Sequence, residues 1–247
     1  MICAHGRALP AWHPDKRVSM LQQPLKSSGS LPRHILAACL LVASLAGCAG
    51  GPAPASKGLP QRVEISSVPF FRGNANHSGA MALAMALSQQ GVRITPGLLD
   101  KPLNLPQGVD SLQTTIPAAA RDYGMLVYPL DPRLDALLTQ VAAGNPVLLR
   151  YQEGSAWWSE PRYAVLVGYD SYKQRVLLRS GMHRRQLMAF DDFAAAWESA
   201  GSWAVLVQSP LQLPAQVDRQ RWLKAADELA RAGQETAAKQ AIGSIGQ

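Results

Sequence analysis

Few side chains in this 247-residue sequence could act as nucleophiles, bases or metal ligands, and they are unevenly spread. Cys3, Cys39 and Cys48, together with His5, His13 and His34, all fall within the first 48 positions. Only His77 and His183 lie beyond them. A thiolate nucleophile, a disulfide framework and a Cys/His zinc cluster are therefore excluded from the rest of the chain, and no metal or other cofactor is expected. The remaining chemistry is that of Ser78. A serine hydroxyl is a weak nucleophile that needs a base within hydrogen-bond reach. His77 is its immediate neighbour and should point elsewhere from a helix start. His183 is expected on a turn next to Arg184 and Arg185, and nothing in the sequence brings it to Ser78. Ser78 equally suits a helix cap.

The reactive residues at the front belong to a recognisable segment. Residues 35–47 form a short apolar run behind Arg33 and Lys26, too short for a span of about 20 apolar residues and matching a secretory signal peptide. Its end, Leu45-Ala46-Gly47-Cys48, resembles the lipobox of bacterial lipoproteins. The resemblance implies that Cys48 is alkylated by diacylglycerol and becomes the mature N-terminus. It also implies that Ala49, in place of Asp, directs export to the outer membrane of a Gram-negative cell, on its periplasmic side. Residues 1–47 are thus read as the leader, with Met20 as an alternative start. Its removal leaves 19 basic and 16 acidic residues, a net charge of +3 against +7 for the whole chain. The basic balance belongs largely to the leader, so no nucleic-acid partner is expected.

The mature chain divides into a Gly/Ala/Pro-rich tether at 48–62, a domain at 63–208 and a helical hairpin at 217–245. Val63 to Phe71 reads as extended. Ser78 to Gln90 reads as a helix, capped by Asn76 or Ser78 and ended by Gly91. Ala80 to Leu87 is apolar on every face, so this helix must be buried in the middle of the domain. A short helix is expected from Thr95-Pro96. Another should run from an Asp110 cap to about Tyr123, kinked or divided by Pro117, and a third from Asp131-Pro132 to Ala143. The period then changes, and Val147 to Tyr151, Tyr163 to Tyr169, Val176 to Arg179 and Gln186 to Ala189 read as strands. A helix capped by Asp191 or Asp192 and a strand at Trp203 to Val207 close the domain. Helices followed by an antiparallel sheet define an α+β class. Val217 to Ala232 and Glu235 to Ile242, amphipathic around Gly233, look like a single tetratricopeptide unit or an ordinary hairpin. A lone repeat should dock on the domain, pair with a partner or be a truncated array.

The stretch Val63 to Val207 resembles the bacteriocin-processing (double-glycine leader) cysteine peptidases, especially the lipoprotein branch with such a domain before tetratricopeptide repeats. The segments that carry the resemblance are Val68-Pro-Phe-Phe71, Ser78-Gly-Ala-Met-Ala-Leu-Ala, Gly144-Asn-Pro-Val-Leu148, Tyr163-Ala-Val-Leu-Val-Gly-Tyr-Asp170, Val176-Leu-Leu-Arg-Ser-Gly181 and Trp197 with Trp203. The resemblance implies a papain-like fold, a helical half plus an antiparallel sheet, with a nucleophile at the start of the central helix facing a histidine on the sheet. The family's cysteine position falls on Ser78, its glutamine on Gly73, its histidine on Arg162 and its acidic or amide partner on Ser180. Each expected catalytic position is changed, and a guanidinium cannot serve as a base.

What remains is a groove. In the papain-like layout Arg162 sits opposite the helix N-terminus at Ser78, two positive features that suit an extended peptide or a carboxylate bound without cleavage. A solvent-facing Arg162 with no such role is the alternative. Tyr151, Trp157, Trp158 and Tyr163 are candidates to line the groove; Trp157 and Trp158, in a polar loop, are the better contact residues. The leading reading is a lipid-anchored, non-catalytic, peptidase-like protein that binds a peptide or an envelope or secretion partner. The alternatives are a weak hydrolase using Ser78 and a structural envelope lipoprotein.

Overall fold

The computed structural model describes residues 58–155 and 157–246. The expected leader, Cys48 and the tether as far as residue 57 lie outside the described residues. In chain order the elements are β1 (Arg62–Glu64), α1 (Ser78–Gln89), α2 (Leu112–Asp122), β2 (Leu126–Pro129), α3 (Leu134–Ala142), β3 (Val147–Ser155), β4 (Trp158–Asp170), β5 (Arg175–Ser180), β6 (His183–Ala189), α4 (Phe190–Ser199), β7 (Ala204–Gln208), α5 (Arg219–Arg231) and α6 (Glu235–Ser244). Single 3-10 turns lie at Ala75–His77, Pro96–Leu98 and Val109–Ser111. Helices mostly precede an antiparallel sheet and a helical hairpin follows, which is the α+β arrangement expected.

Helix α1 explains the layout. Ten of its twelve residues are buried, from Ser78 to Leu87, so neighbours must cover it on all sides. The sheet covers one side, mainly through β4, and α2 covers another. The close approach of α2 requires Gly79: a Cβ there would fall 2.8 Å from Leu112 Cδ1. The sheet runs β2-β7-β3-β4-β5-β6, every pairing antiparallel, with β1 added at the far end of β4. Strand β4 pairs with β3 up to Leu166 and with β1 from Gly168. Only glycine fits at that changeover, because a Cβ at Gly168 would lie 2.5 Å from the Val63 carbonyl oxygen.

Several expectations are corrected. Strand β2, absent from the sequence reading, pairs with β7 between α2 and α3. Pro117 does not divide α2, which runs unbroken through it. The capping residues expected for α1, α2 and α4 make no side-chain cap bonds. At α1 and α2 the 3-10 turns run directly into the helices, and the Ser78 N–H is held by the Ala75 carbonyl. Strands β3 and β4 continue far beyond their apolar runs as a projecting hairpin, so the expected polar loop is mostly strand. His183 opens β6 rather than lying in a turn.

Of the three fates open to the C-terminal hairpin, docking is what the structure contains. Trp222 of α5 is fully buried, its Nε1 donating to the Ala241 carbonyl at 2.6 Å and its ring 6.2 Å from that of Tyr128 on β2. The Asp218 N–H donates to the Tyr128 hydroxyl at 3.0 Å, and the Asp218 carboxylate caps α5 through Arg221 N. Ion pairs Arg121–Glu228 and Arg221–Asp131 flank the contact. Trp222→Ala should cost about 3–5 kcal/mol, the usual penalty for emptying an aromatic core site. The expected readout is a Tm lower by roughly 6–15 °C, with cleavage in limited proteolysis appearing first around residues 209–218.

Candidate functional site

The position that resemblance assigns to a nucleophile opens α1. Ser78 is 2% exposed, and its Oγ accepts the Tyr163 backbone N–H at 3.2 Å. Strand β5 ends at Ser180, which leaves this N–H on β4 without a strand partner on that side, and the serine hydroxyl takes the vacant place. His77 turns to another neighbour, with Nδ1 3.1 Å from Asp100 Oδ1. Among the described residues no hydrogen bond joins Ser78 Oγ to a histidine or a carboxylate.

Arg162 occupies the next position on β4 and meets two carboxylates. In the β3–β4 register Tyr151 lies opposite Arg162, and Glu153 lies opposite Glu160. Like charges directly across a ladder repel. Here one guanidinium bridges them, with Nε 2.7 Å from Glu153 Oε2 and Nη2 2.5 Å from Glu160 Oε1. The Nε contact satisfies the distance of an ion pair but not the angle of a hydrogen bond. The expectation of two positive features facing one groove is thereby corrected: Arg162 is neutralised, and the pair of carboxylates leaves one negative charge in excess.

Ser180, where the resemblance places an acidic or amide partner, belongs to the same polar group. Its Oγ is 2.9 Å from the Tyr151 hydroxyl, which donates to Glu153 Oε1 at 3.1 Å. Gln186 Nε2 also donates to Glu153 Oε1, at 3.3 Å. Burial holds the Tyr151 hydroxyl above its ordinary pKa and pushes that of Tyr163 up to about 12. Neither phenol is a proton-transfer group near neutrality. Gly73, where the resemblance places a glutamine, has no side chain to offer, and its N–H is engaged by the Gly181 carbonyl at 3.2 Å.

These residues border a cavity of about 430 Å³. Its walls are the 73–75 segment, Glu153, Glu160 and Arg162 of the hairpin, Gly181 and Met182 between β5 and β6, and His183 at the start of β6. The structure thus brings Gly73, Arg162 and His183 to one cavity. Ser78 is not part of its lining, and Ser180 stands behind it, buried. The four-aromatic cluster does not form. Tyr151 and Tyr163 are core residues, whereas Trp157 and Trp158 project at the hairpin tip, 97% and 64% exposed. Sequence reasoning missed Glu153 and Glu160 as partners of Arg162. Their signal was available in principle, since charges at 153, 160 and 162 share one face if the hairpin extends to Trp158.

No protein-family model matches the sequence, and none of the curated proteins searched matches it. Among solved structures, the chain is similar to a C39-like peptidase from Bacillus anthracis, with 16% identity and a TM-score of 0.47 over 60% of this chain and 98% of that one. It is also similar to xylellain, a cysteine protease from Xylella fastidiosa, with 12% identity and a TM-score of 0.43 over 64% and 90% of the two chains.

If Arg162 serves to bridge the carboxylates, Arg162→Ala should destabilise the domain by about 2 kcal/mol, below the full cost of breaking a deeply buried pair because both carboxylates reach solvent. Adding Glu160→Gln should return a large part of that loss in chemical denaturation. Additive losses in the double variant would contradict the bridging role.

Proposed function

We propose that this is a lipid-anchored protein of the bacterial cell envelope whose peptidase-like domain binds a peptide or an envelope or secretion partner without cutting it. The observation that carries the reading is a cavity on whose walls, among the described residues, no nucleophile–base pair stands. Ser78 is buried with its hydroxyl taken by the Tyr163 N–H, and Arg162 is engaged by Glu153 and Glu160. Covalent hydrolysis needs a nucleophile, a base within reach and a donor for the oxyanion. The positions that resemblance assigns to these roles hold Ser78, Arg162 and Gly73, each satisfied internally. No cysteine follows Cys48 that could replace Ser78. Trp157 and Trp158, at the tip of the hairpin that forms one wall of the cavity, favour binding, because exposed aromatic pairs are typical of contact surfaces.

The non-catalytic part is tested with the full chain and a serine-directed fluorophosphonate probe. No labelling is expected; labelling that disappears in Ser78→Ala would favour the weak hydrolase instead. The anchor is tested separately, by growing a Gram-negative host that expresses the protein with an alkyne-bearing palmitate analogue. Incorporation into the envelope fraction is expected for the unaltered sequence and should vanish in Cys48→Ser. Equal incorporation in both would remove the lipidation assignment.

A further inference from the structure

The β3–β4 hairpin joins the cavity to the exposed tryptophans through its pleat. Its register is continuous from Val147 opposite Leu166 to Ser155 opposite Trp158, without a bulge. Alternation therefore puts Trp158, Glu160 and Arg162 on one face of β4, the face shared across the ladder by Tyr151 and Glu153. Trp158 stands on the same strip as the cavity wall and next to its carboxylates.

The charge on that strip has a definite sign. Glu153 and Glu160, each with a side chain only about 30% exposed, share a single guanidinium. His183 is the other titratable group on the cavity lining. Arg72 and Arg184, neighbours in sequence of Gly73 and His183, are exposed and are not part of the lining. Half-buried carboxylates in excess over their counter-ions favour an incoming cation, and a partly enclosed site screens that attraction less than open solvent does. Met182 lines the cavity, and Trp158 lies two residues before the cavity-lining Glu160 on the same face of β4; both are exposed. An indole face attracts a guanidinium or ammonium, and thioether and indole surfaces pack well against the alkyl stems of such side chains.

We infer that the strip from Met182 past Glu153 and Glu160 to Trp158 recognises an extended basic peptide, seating a lysine or arginine side chain between the carboxylates and the indole. This rests on the reading of the cavity as a non-catalytic peptide site and adds the class of ligand. An anionic lipid surface fits less well, because Glu153 and Glu160 lie directly behind the tryptophan tip and would repel it.

The test uses the full chain in neutral detergent micelles and dye-labelled peptides of roughly ten residues, matched except that three lysine or arginine positions are replaced by alanine or by glutamate. Fluorescence anisotropy should give the basic peptide at least about tenfold tighter binding than the glutamate version, weakening as salt is raised. Trp158→Ala, at an exposed tip, should weaken the basic peptide about fivefold with Tm unchanged, and Glu160→Gln should weaken it by a similar factor. Equal or tighter binding of the alanine or glutamate peptides would overturn the basic preference and leave the peptide-site reading intact. Basic-peptide binding that neither variant alters would move the site elsewhere. If no peptide binds, the peptide-site reading and this inference fail together. Vesicles of phosphatidylglycerol and phosphatidylethanolamine provide the last arm: co-sedimentation that depends on Trp157 and Trp158, without peptide binding, would assign the tip to the membrane instead.

Discussion

A helix with no polar face has to be enclosed, and the enclosure of α1 is the constraint on which this domain depends. The segment from Ser78 to Leu87 leaves nothing for water to solvate, so a sheet and a second helix must close over it. Glycine at 79 admits α2, and glycine at 168 admits β1 where β3 leaves β4. Because α1 begins where β5 has already ended, its first side chain meets an unpaired N–H of β4. Ser78 is drawn into the scaffold by that geometry, since a buried N–H without a partner is costly.

The same economy governs the other positions at which a peptidase would keep its machinery. The Gly73 N–H is held by Gly181, Ser180 by Tyr151, and Arg162 by two carboxylates. Catalytic groups must stay available to a substrate, with unsatisfied capacity aimed into a cavity. Here Gly73, Ser180 and Arg162 are each engaged by the hairpin or by the β5–β6 connection. What survives at the surface is shape, a small negative excess and two exposed indoles. The proposed recognition role rests on these properties, and the imbalance of charge is the part of it that would set a preference.

Much of the fold was legible from periodicity. The buried helix, the switch from helical to alternating pattern near Val147, and the terminal hairpin all carry strong local signals, since each is set by where apolar side chains fall along the chain. Strand β2 did not, because Leu126 to Pro129 is short and becomes a strand only by pairing with β7, about 80 residues later in the chain. The outer β3–β4 hairpin was also hidden. Its residues are polar, and its strands are specified by their pairing with each other rather than by burial. The capping residues misled for a related reason: a preceding 3-10 turn at α1 and α2 supplies backbone carbonyls, leaving a favourable side chain nothing to cap.

The sequence by itself determined which chemistry is unavailable. With no cysteine after Cys48, a domain that resembles cysteine peptidases has no thiol, and composition alone decides that. It also determined the class of fold, because the positions of apolar residues specify which faces must be buried. Only the tertiary structure decided the character of the cavity. Arg162 reads in the sequence as an available cation, yet its charge is spent on Glu153 and Glu160, which reach it through strand register. Net charge is a sum over residues, whereas the potential in a cavity depends on which charges lie within a few ångströms of one another, and folding sets that distance.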